Sequence, residues 1–281
     1  MNPLVLVRRA EIVKSVRAAL DSMGFVEVET PVRIAAPAPE TGIDCPPVST
    51  GGFLRASPEL QMKRLLAAGM EKIYQIGPAF RDGEKGSRHN PEFTMLEWYR
   101  RGEGYDAVAE DLLAIVRAAG IGDLGVSRIK VREAYLRFAG WDPWEKWDKD
   151  RFDEDMALKV EPGIAGIGGG VFLEDYPPQA ASLALISGDG RERHAQRWEF
   201  YLDGMELANA FTELCDPIEQ RRRFEEAAEE RRALGESDYP LDEDFLRVLP
   251  SIGSAAGAAL GLDRLIMVAT GEKNISNVRL V

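Results

Sequence analysis

Near the start of the chain apolar positions recur at helical spacing, at Leu6, Val13, Val16, Leu20 and Met23, and Gly24 supplies a natural stop. The period then changes to two: Phe25, Val26, Glu27, Val28 and Glu29 alternate as a strand that ends at Thr30 and Pro31. Residues 33–53 are rich in proline, glycine and small side chains, which predicts a surface loop with a short hairpin. Ser57 stands as the N-cap, with Pro58 at the first helical position, of a helix over 59–68 that ends near Gly69. Residues 105–119 form an amphipathic helix, and the tryptophan-bearing stretch 127–160 reads as helical, so a helical insertion is expected over about 104–160. The glycine-rich stretch 166–170 is a turn before the strand Val171, Phe172, Leu173, because the Gly-Lys-Ser/Thr of a phosphate loop does not follow. Strands over 198–202 and 205–211 meet at Asp203 and Gly204, a favoured two-residue hairpin turn. Asp216, Pro217 and Glu219 open a charged helix to about Leu234 with a capping-box pattern. Small residues from Gly257 onward make a strand that enters a helix ending near Gly271.

One region carries more than a structural pattern. Residues 75–101 read as two strands joined by a long polar loop, with Arg81 closing the first strand. Phe93, Glu97 and Tyr99 lie at even spacing on the second, and side chains two apart share a face of a strand. A guanidinium, an aromatic ring, a carboxylate and a phenol are thus gathered on one surface. The loop between Asp82 and Asn90 is longer than a tight turn requires.

Composition narrows the setting. The 281 residues are 45% hydrophobic and 29% charged, enough for a full core, and no apolar run approaches the roughly 20 residues that span a bilayer. The N-terminus does not read as a signal peptide, and two cysteines, Cys45 and Cys215, make neither a disulfide framework nor a metal site by themselves; a cytoplasmic location is expected. A net charge of −12 weighs against a long nucleic-acid footprint and agrees with a small-molecule or protein substrate.

The run Arg88-His89-Asn90-Pro91-Glu92-Phe93-Thr94-Met95-Leu96-Glu97 resembles motif 2 of the class II aminoacyl-tRNA synthetases, in their lysine branch. The helix, strand and Pro31 at the start resemble motif 1, which in those enzymes builds a homodimer interface. The glycine-rich strand and helix around Arg264 resemble motif 3. The resemblance implies an α+β fold, a class II synthetase-like catalytic core with an antiparallel β-sheet flanked by helices. It implies one catalytic domain over 1–281, with the synthetases' N-terminal anticodon-binding domain missing.

The chemistry so implied is attack of a carboxylate on the α-phosphorus of ATP, a reaction that needs positioning and charge neutralisation. Arg81 matches the α-phosphate arginine, Phe93 the ring that stacks on adenine, and Arg264 the γ-phosphate arginine. Asp82, Gly83, Glu84, His89 and Asn90 fall in the loop that contacts the nucleotide. Gly257, Ala258, Ala259 and Gly261 keep side chains small where nucleotide approaches, and a helix start beside Arg264 favours anions. Glu206 and Glu213, with Leu207 and Asn209 between or beside them, match the strand that binds Mg²⁺. These two carboxylates are an odd number of positions apart, so a bulge near Asn209 and Ala210 is expected to turn both toward the pocket. Ser57, Glu59, Glu97, Tyr99, Asn209, Glu213 and Ala259 correspond to substrate positions, with Glu59, Glu97, Tyr99 and Glu213 holding the two amino groups of lysine. Two separated ammonium groups need two acidic anchors, because an unpaired buried charge is expensive.

The missing anticodon domain and the acidic charge move the resemblance toward the truncated lysyl-tRNA synthetase paralogues that act as elongation factor P--(R)-β-lysine ligases. That implies adenylation of lysine or β-lysine and transfer to a lysine of elongation factor P. Two other classes stay open: a stand-alone synthetase-like enzyme that acylates RNA or a small amine, and a catalytically silent paralogue that binds a metabolite. A class II asparagine synthetase is disfavoured by the acidic anchors. Three departures stand out: Gly83 where motif 2 usually has glutamate, Ala210 in place of a glycine, and a C-terminus over 274–281 without the usual proline.

Overall fold

Asn2 accepts the Leu4 N–H and Pro3 fills the first turn, so α1 (Pro3–Ser22) starts where the apolar spacing begins. Gly24, at φ +83°, turns the chain out of the helix. Of the alternating residues 25–29 only β1 (Val26–Glu27) is paired strand. The expected short hairpin is β2 (Arg33–Ile34) with β3 (Phe53–Leu54). α2 (Glu59–Ala67) begins one residue later than expected, with Ser57 Oγ accepting the Glu59 N–H at 2.9 Å across Pro58. Next come β4 (Lys72–Phe80), β5 (Glu92–Arg101) and α3 (Tyr105–Ala118). Residues 127–130, read as helical from sequence, belong instead to β6 (Val126–Lys130), which pairs in parallel with a later strand. Three short helices follow, α4 (Val131–Ala134), α5 (Lys149–Asp155) and α6 (Glu161–Ala165), with wider helical turns at Tyr135–Ala139 and Met156–Val160. The chain continues through β7 (Gly170–Tyr176), β8 (Ile186–Ser187), β9 (His194–Leu202) and β10 (Met205–Thr212). It closes with α7 (Pro217–Leu234), α8 (Glu243–Val248), β11 (Ala255–Gly261) and α9 (Leu262–Thr270).

The structure, a computed structural model, describes residues 2–122 and 124–280; Val281, the last residue of the altered C-terminus, and Met1 lie outside the described residues. β1, β4, β5, β11, β10, β9, β7 and β6 form one sheet in that order, with β8 added beside β9. Among the described residues only the β1–β4 and β6–β7 pairs are parallel, so the α+β architecture with a mostly antiparallel sheet is as the resemblance implied.

The sheet has two faces with different tasks. Tyr74, Leu96, Trp98, Trp198, Phe200, Ala208, Ala210, Ala258 and Leu260 point to one face, where they bury against Ile12 and Val16 of α1, Leu112 and Ile115 of α3, and Leu265 of α9. α3 is therefore part of the main core rather than of an insertion, and the helical segment narrows to residues 131–165. The capping at Asp216 is one-sided. Its side chain accepts the Ile218 and Glu219 N–H groups, while Glu219 pairs forward with Arg222 and Arg223 instead of back to the cap. The other face of the sheet carries the polar side chains that matter for chemistry.

Candidate active site

Register builds the site. Glu97 on β5 stands opposite Ala259 on β11, Ala259 opposite Asn209 on β10, and Asn209 opposite Glu199 on β9. The neighbouring row runs Tyr99, Gly257, Phe211, Arg197. Residues in such rows share one face, so four strands present a continuous surface. The expected bulge exists, but it falls between Glu206 and Ala208, not near Asn209 and Ala210. The extra residue, Leu207, restores parity and puts Glu206, Asn209 and Phe211 on the same side.

An open cleft of about 250 Å³ lies over this face, lined among others by Arg81, His89, Phe93, Arg197, Glu206 and Arg264. Arg264 sits in the first turn of α9 and donates to the Glu206 backbone oxygen at 2.9 Å and to its carboxylate at 3.2 Å. It also reaches His89 Nε2. Burial and the adjacent Arg264 charge lower the His89 pKa, so the imidazole stays neutral and accepts that bond. Arg81 lies 5.3 Å from the Phe93 ring centroid and only loosely meets Glu84, at 3.5 Å. Gly83 adopts φ +77°, a conformation that a glutamate would resist, and the turn it makes delivers Glu84 to Arg81 instead. Burial and then the neighbouring Glu199 raise the Glu206 pKa, against the opposing pull of Arg264.

Beside the cleft is an enclosed acidic pocket. Lys63, on α2, is almost fully buried with its ammonium 2.6 Å from Glu59 and in contact with Glu213. Glu97 is held by Ser57 Oγ and by the Tyr99 hydroxyl at 3.1 Å. Burial and the Glu59 charge push Glu97 up to about 8, and burial does the same to Glu213 despite Lys63. Burial alone would lower the Lys63 pKa, but Glu213 and Glu59 outweigh it and raise it. The two directions are compatible because three carboxylates surround one ammonium. The cation is well satisfied and the anions are in excess.

The structure thus divides the expected residues into two groups. Arg81, Glu84, His89, Asn90, Phe93, Glu206, Leu207, Asn209, Ala259, Gly261 and Arg264 line the cleft. Ser57 and Glu59 line a smaller adjoining cavity, above the buried Glu97, Tyr99 and Glu213. Asp82 and Gly83 are outside the cleft lining, turned to solvent. Glu213 is not brought together with Glu206: it faces Lys63, and Glu199 is the carboxylate that acts on Glu206. Gly257 serves the acidic pocket rather than the nucleotide cleft, since a Cβ there would lie 2.2 Å from the Tyr99 ring and 2.7 Å from Glu213. Glu40, Lys63, Arg197 and Glu199 escaped sequence reasoning. The even spacing of Arg197 and Glu199 beside the β9–β10 turn was the one available signal. Arg197 donates to Asn209 at 2.9 Å and Glu199 at 2.6 Å and lies over the Tyr176 ring.

Comparison with known proteins agrees with this geometry. The family model for class II tRNA synthetases (D, K and N) matches residues 3–281. A protein of Proteus mirabilis named elongation factor P--(R)-beta-lysine ligase is 38% identical, the match covering 97% of this chain and 93% of that protein. Relatives of the same name from Edwardsiella ictaluri and Vibrio cholerae are 38% and 36% identical over the same shares.

Proposed function

The chain belongs to the class II tRNA synthetases of the D, K and N type, alongside the elongation factor P--(R)-β-lysine ligases, and is an ATP-dependent amino acid ligase; on that premise we propose that it adenylates (R)-β-lysine or lysine and transfers it to a lysine of elongation factor P. The observation that carries the substrate class is the charge of the enclosed pocket. Glu59, Glu97 and Glu213 gather about the Lys63 ammonium, more carboxylate than that one cation balances, and a substrate with two ammonium groups supplies the missing positive charge.

In the first step a substrate carboxylate oxygen attacks the α-phosphorus of ATP and pyrophosphate leaves. Arg81 holds the α-phosphate, Arg264 the γ-phosphate, and Phe93 stacks on adenine once its ring face is given over to the base. His89 and the Glu206 backbone oxygen fix the Arg264 guanidinium, so its charge is oriented before ATP arrives. In the second step the acceptor amine attacks the acyl carbon and AMP leaves. Among the described residues no group of three or more His, Cys, Asp or Glu side chains is placed to hold a metal. Two carboxylates with substrate phosphates and water do suit Mg²⁺, and Glu206 feels the Glu199 charge while pairing with Arg264 at 3.2 Å. Glu206 and Glu199 would hold that ion, whose chemistry is to neutralise phosphate charge.

The chain works as one catalytic domain in the cytoplasm, as a homodimer through α1 and β1, where Leu4, Val7 and Val26 are exposed. No described helix is long and apolar enough to cross a membrane. The test is pyrophosphate exchange with α-lysine and (R)-β-lysine, followed by intact-mass measurement of elongation factor P. The reading requires exchange with at least one of them and a matching mass gain on the protein. Exchange accompanied by acylated RNA and unmodified elongation factor P would overturn the acceptor.

A further inference from the structure

Glu40 stands where the two halves of the site meet. It lines both the arginine-rich cleft and the smaller cavity that contains Ser57 and Glu59, and only Ile43 shares that position. The groups that face its carboxylate are Glu59 and Lys63 from α2, Arg81 after β4, and Arg197 from β9, with Cys45 close by on its own loop. Among the described residues it has no hydrogen bond or ion pair through its side chain. Its backbone, by contrast, is firmly held. The fully buried Arg231 of α7 donates to the Glu40 carbonyl at 2.6 Å, to the Ile43 carbonyl at 2.9 Å and to Asp44 at 2.6 Å. A carboxylate without a partner is therefore fixed on a pinned loop at the junction of acyl pocket and phosphate cleft, where an activated acyl group must lie.

Resting on the function proposed above, we infer that Glu40 is the general base of the transfer step. The acceptor lysine arrives as an ammonium, which has no lone pair for attack. Glu40 takes one of its protons. The freed nitrogen forms the bond to the acyl carbon, and the carbon–oxygen bond of the mixed anhydride breaks with its electron pair leaving on AMP. The second nitrogen proton goes to the departing phosphate, so products are the amide, protonated AMP and protonated Glu40. Burial and the Glu59 charge raise the Glu40 pKa, which makes it a stronger base than a solvated carboxylate. Arg81 and Arg197 beside it disfavour a further cation, which eases release of the ammonium proton.

The experiment compares two nucleophiles on the preformed adenylate of the full chain. One is Nα-acetyl-lysine, which is protonated at neutral pH; the other is hydroxylamine, which is not. Glu40→Gln lowers the ratio of the two transfer rates about 100-fold relative to wild type. That deficit shrinks as pH rises and solvent deprotonates the amine. An unchanged ratio, or a pH-independent deficit, overturns the role. Should Glu40→Gln fail to fold, Glu40→Asp carries the test, because the shorter carboxylate lowers the same ratio about tenfold. Wild-type protein that forms no adenylate with any diamino acid would instead sink the underlying function.

Discussion

The cleft and the acidic pocket lie on one face of one sheet, yet they treat charge in opposite ways. In the cleft, Arg81 and Arg264 keep partial access to solvent: Arg81 meets Glu84 only loosely, at 3.5 Å, while Arg264 is oriented by the Glu206 backbone oxygen and His89 and meets the Glu206 carboxylate at 3.2 Å. Cations held this way retain most of their capacity for an incoming polyanion. In the pocket, Glu97 and Glu213 are buried, and the protein's own Lys63 already satisfies part of the acid. Removing a charge from the first region should cost function and little stability. Removing one from the second should cost both.

Arg264→Ala is expected to show the largest functional loss. Taking away a preorganised charge at developing phosphate charge costs on the order of 10³-fold in pyrophosphate exchange, with melting temperature nearly unchanged. A matching collapse in stability would erase the distinction drawn here. Lys63→Met tests the other side. It leaves the buried Glu213 and the partly exposed Glu59 without their cation, which costs about 3–5 kcal/mol by denaturant titration. A variant as stable as wild type would mean that the pocket carboxylates are neutral throughout.

Gly257→Ala follows. The new Cβ would overlap Tyr99 and Glu213, so we expect about 1–3 kcal/mol of destabilisation and a raised KM for the amino acid, with KM for ATP little moved. A rise in KM for ATP alone would return Gly257 to the nucleotide side. Glu199→Gln and Glu213→Gln separate the two carboxylates that compete to be the partner of Glu206. The first should raise the half-saturating Mg²⁺ concentration about tenfold, and the second should raise only the KM for the amino acid.

The smallest effect is one of pH. Glu97 and Glu213 carry folded pKa values of about 8 against an ordinary 4.5. The native state then binds more protons than the unfolded chain between those values. Their contribution to stability is full below about 4.5 and is lost as pH rises through about 8. Substrate ammonium groups need the ionised forms, so KM for the amino acid falls as pH approaches 8 while stability declines. A KM that rises over the same range would contradict the pocket's charge state.

Much of this was legible in one dimension. Phe93, Glu97 and Tyr99 lie at even spacing, and even spacing on a strand is a statement about a face that no later folding can undo. Asp203 and Gly204 likewise mark their hairpin locally, at φ +48° and +73°. What stayed hidden depends on partners distant in sequence. Glu199 becomes the neighbour of Glu206 only through the β9–β10 register, and that register turns on one bulged residue, Leu207. The bulge itself was expected, near Asn209 and Ala210; what sequence did not show is that Glu213 is taken up by Lys63. Glu40 lies on a proline-rich loop whose conformation is imposed by Arg231, nearly two hundred residues away. Residues 126–130 look unremarkable alone and become a strand because β7 offers a parallel edge.

The most direct test of the account is pyrophosphate exchange with (R)-β-lysine and α-lysine set against norleucine, which keeps lysine's chain and loses its terminal amino group. The pocket of three carboxylates and one lysine should support exchange with at least one diamino acid and essentially none with norleucine. Equal exchange with norleucine, or none with any of the three, would contradict it.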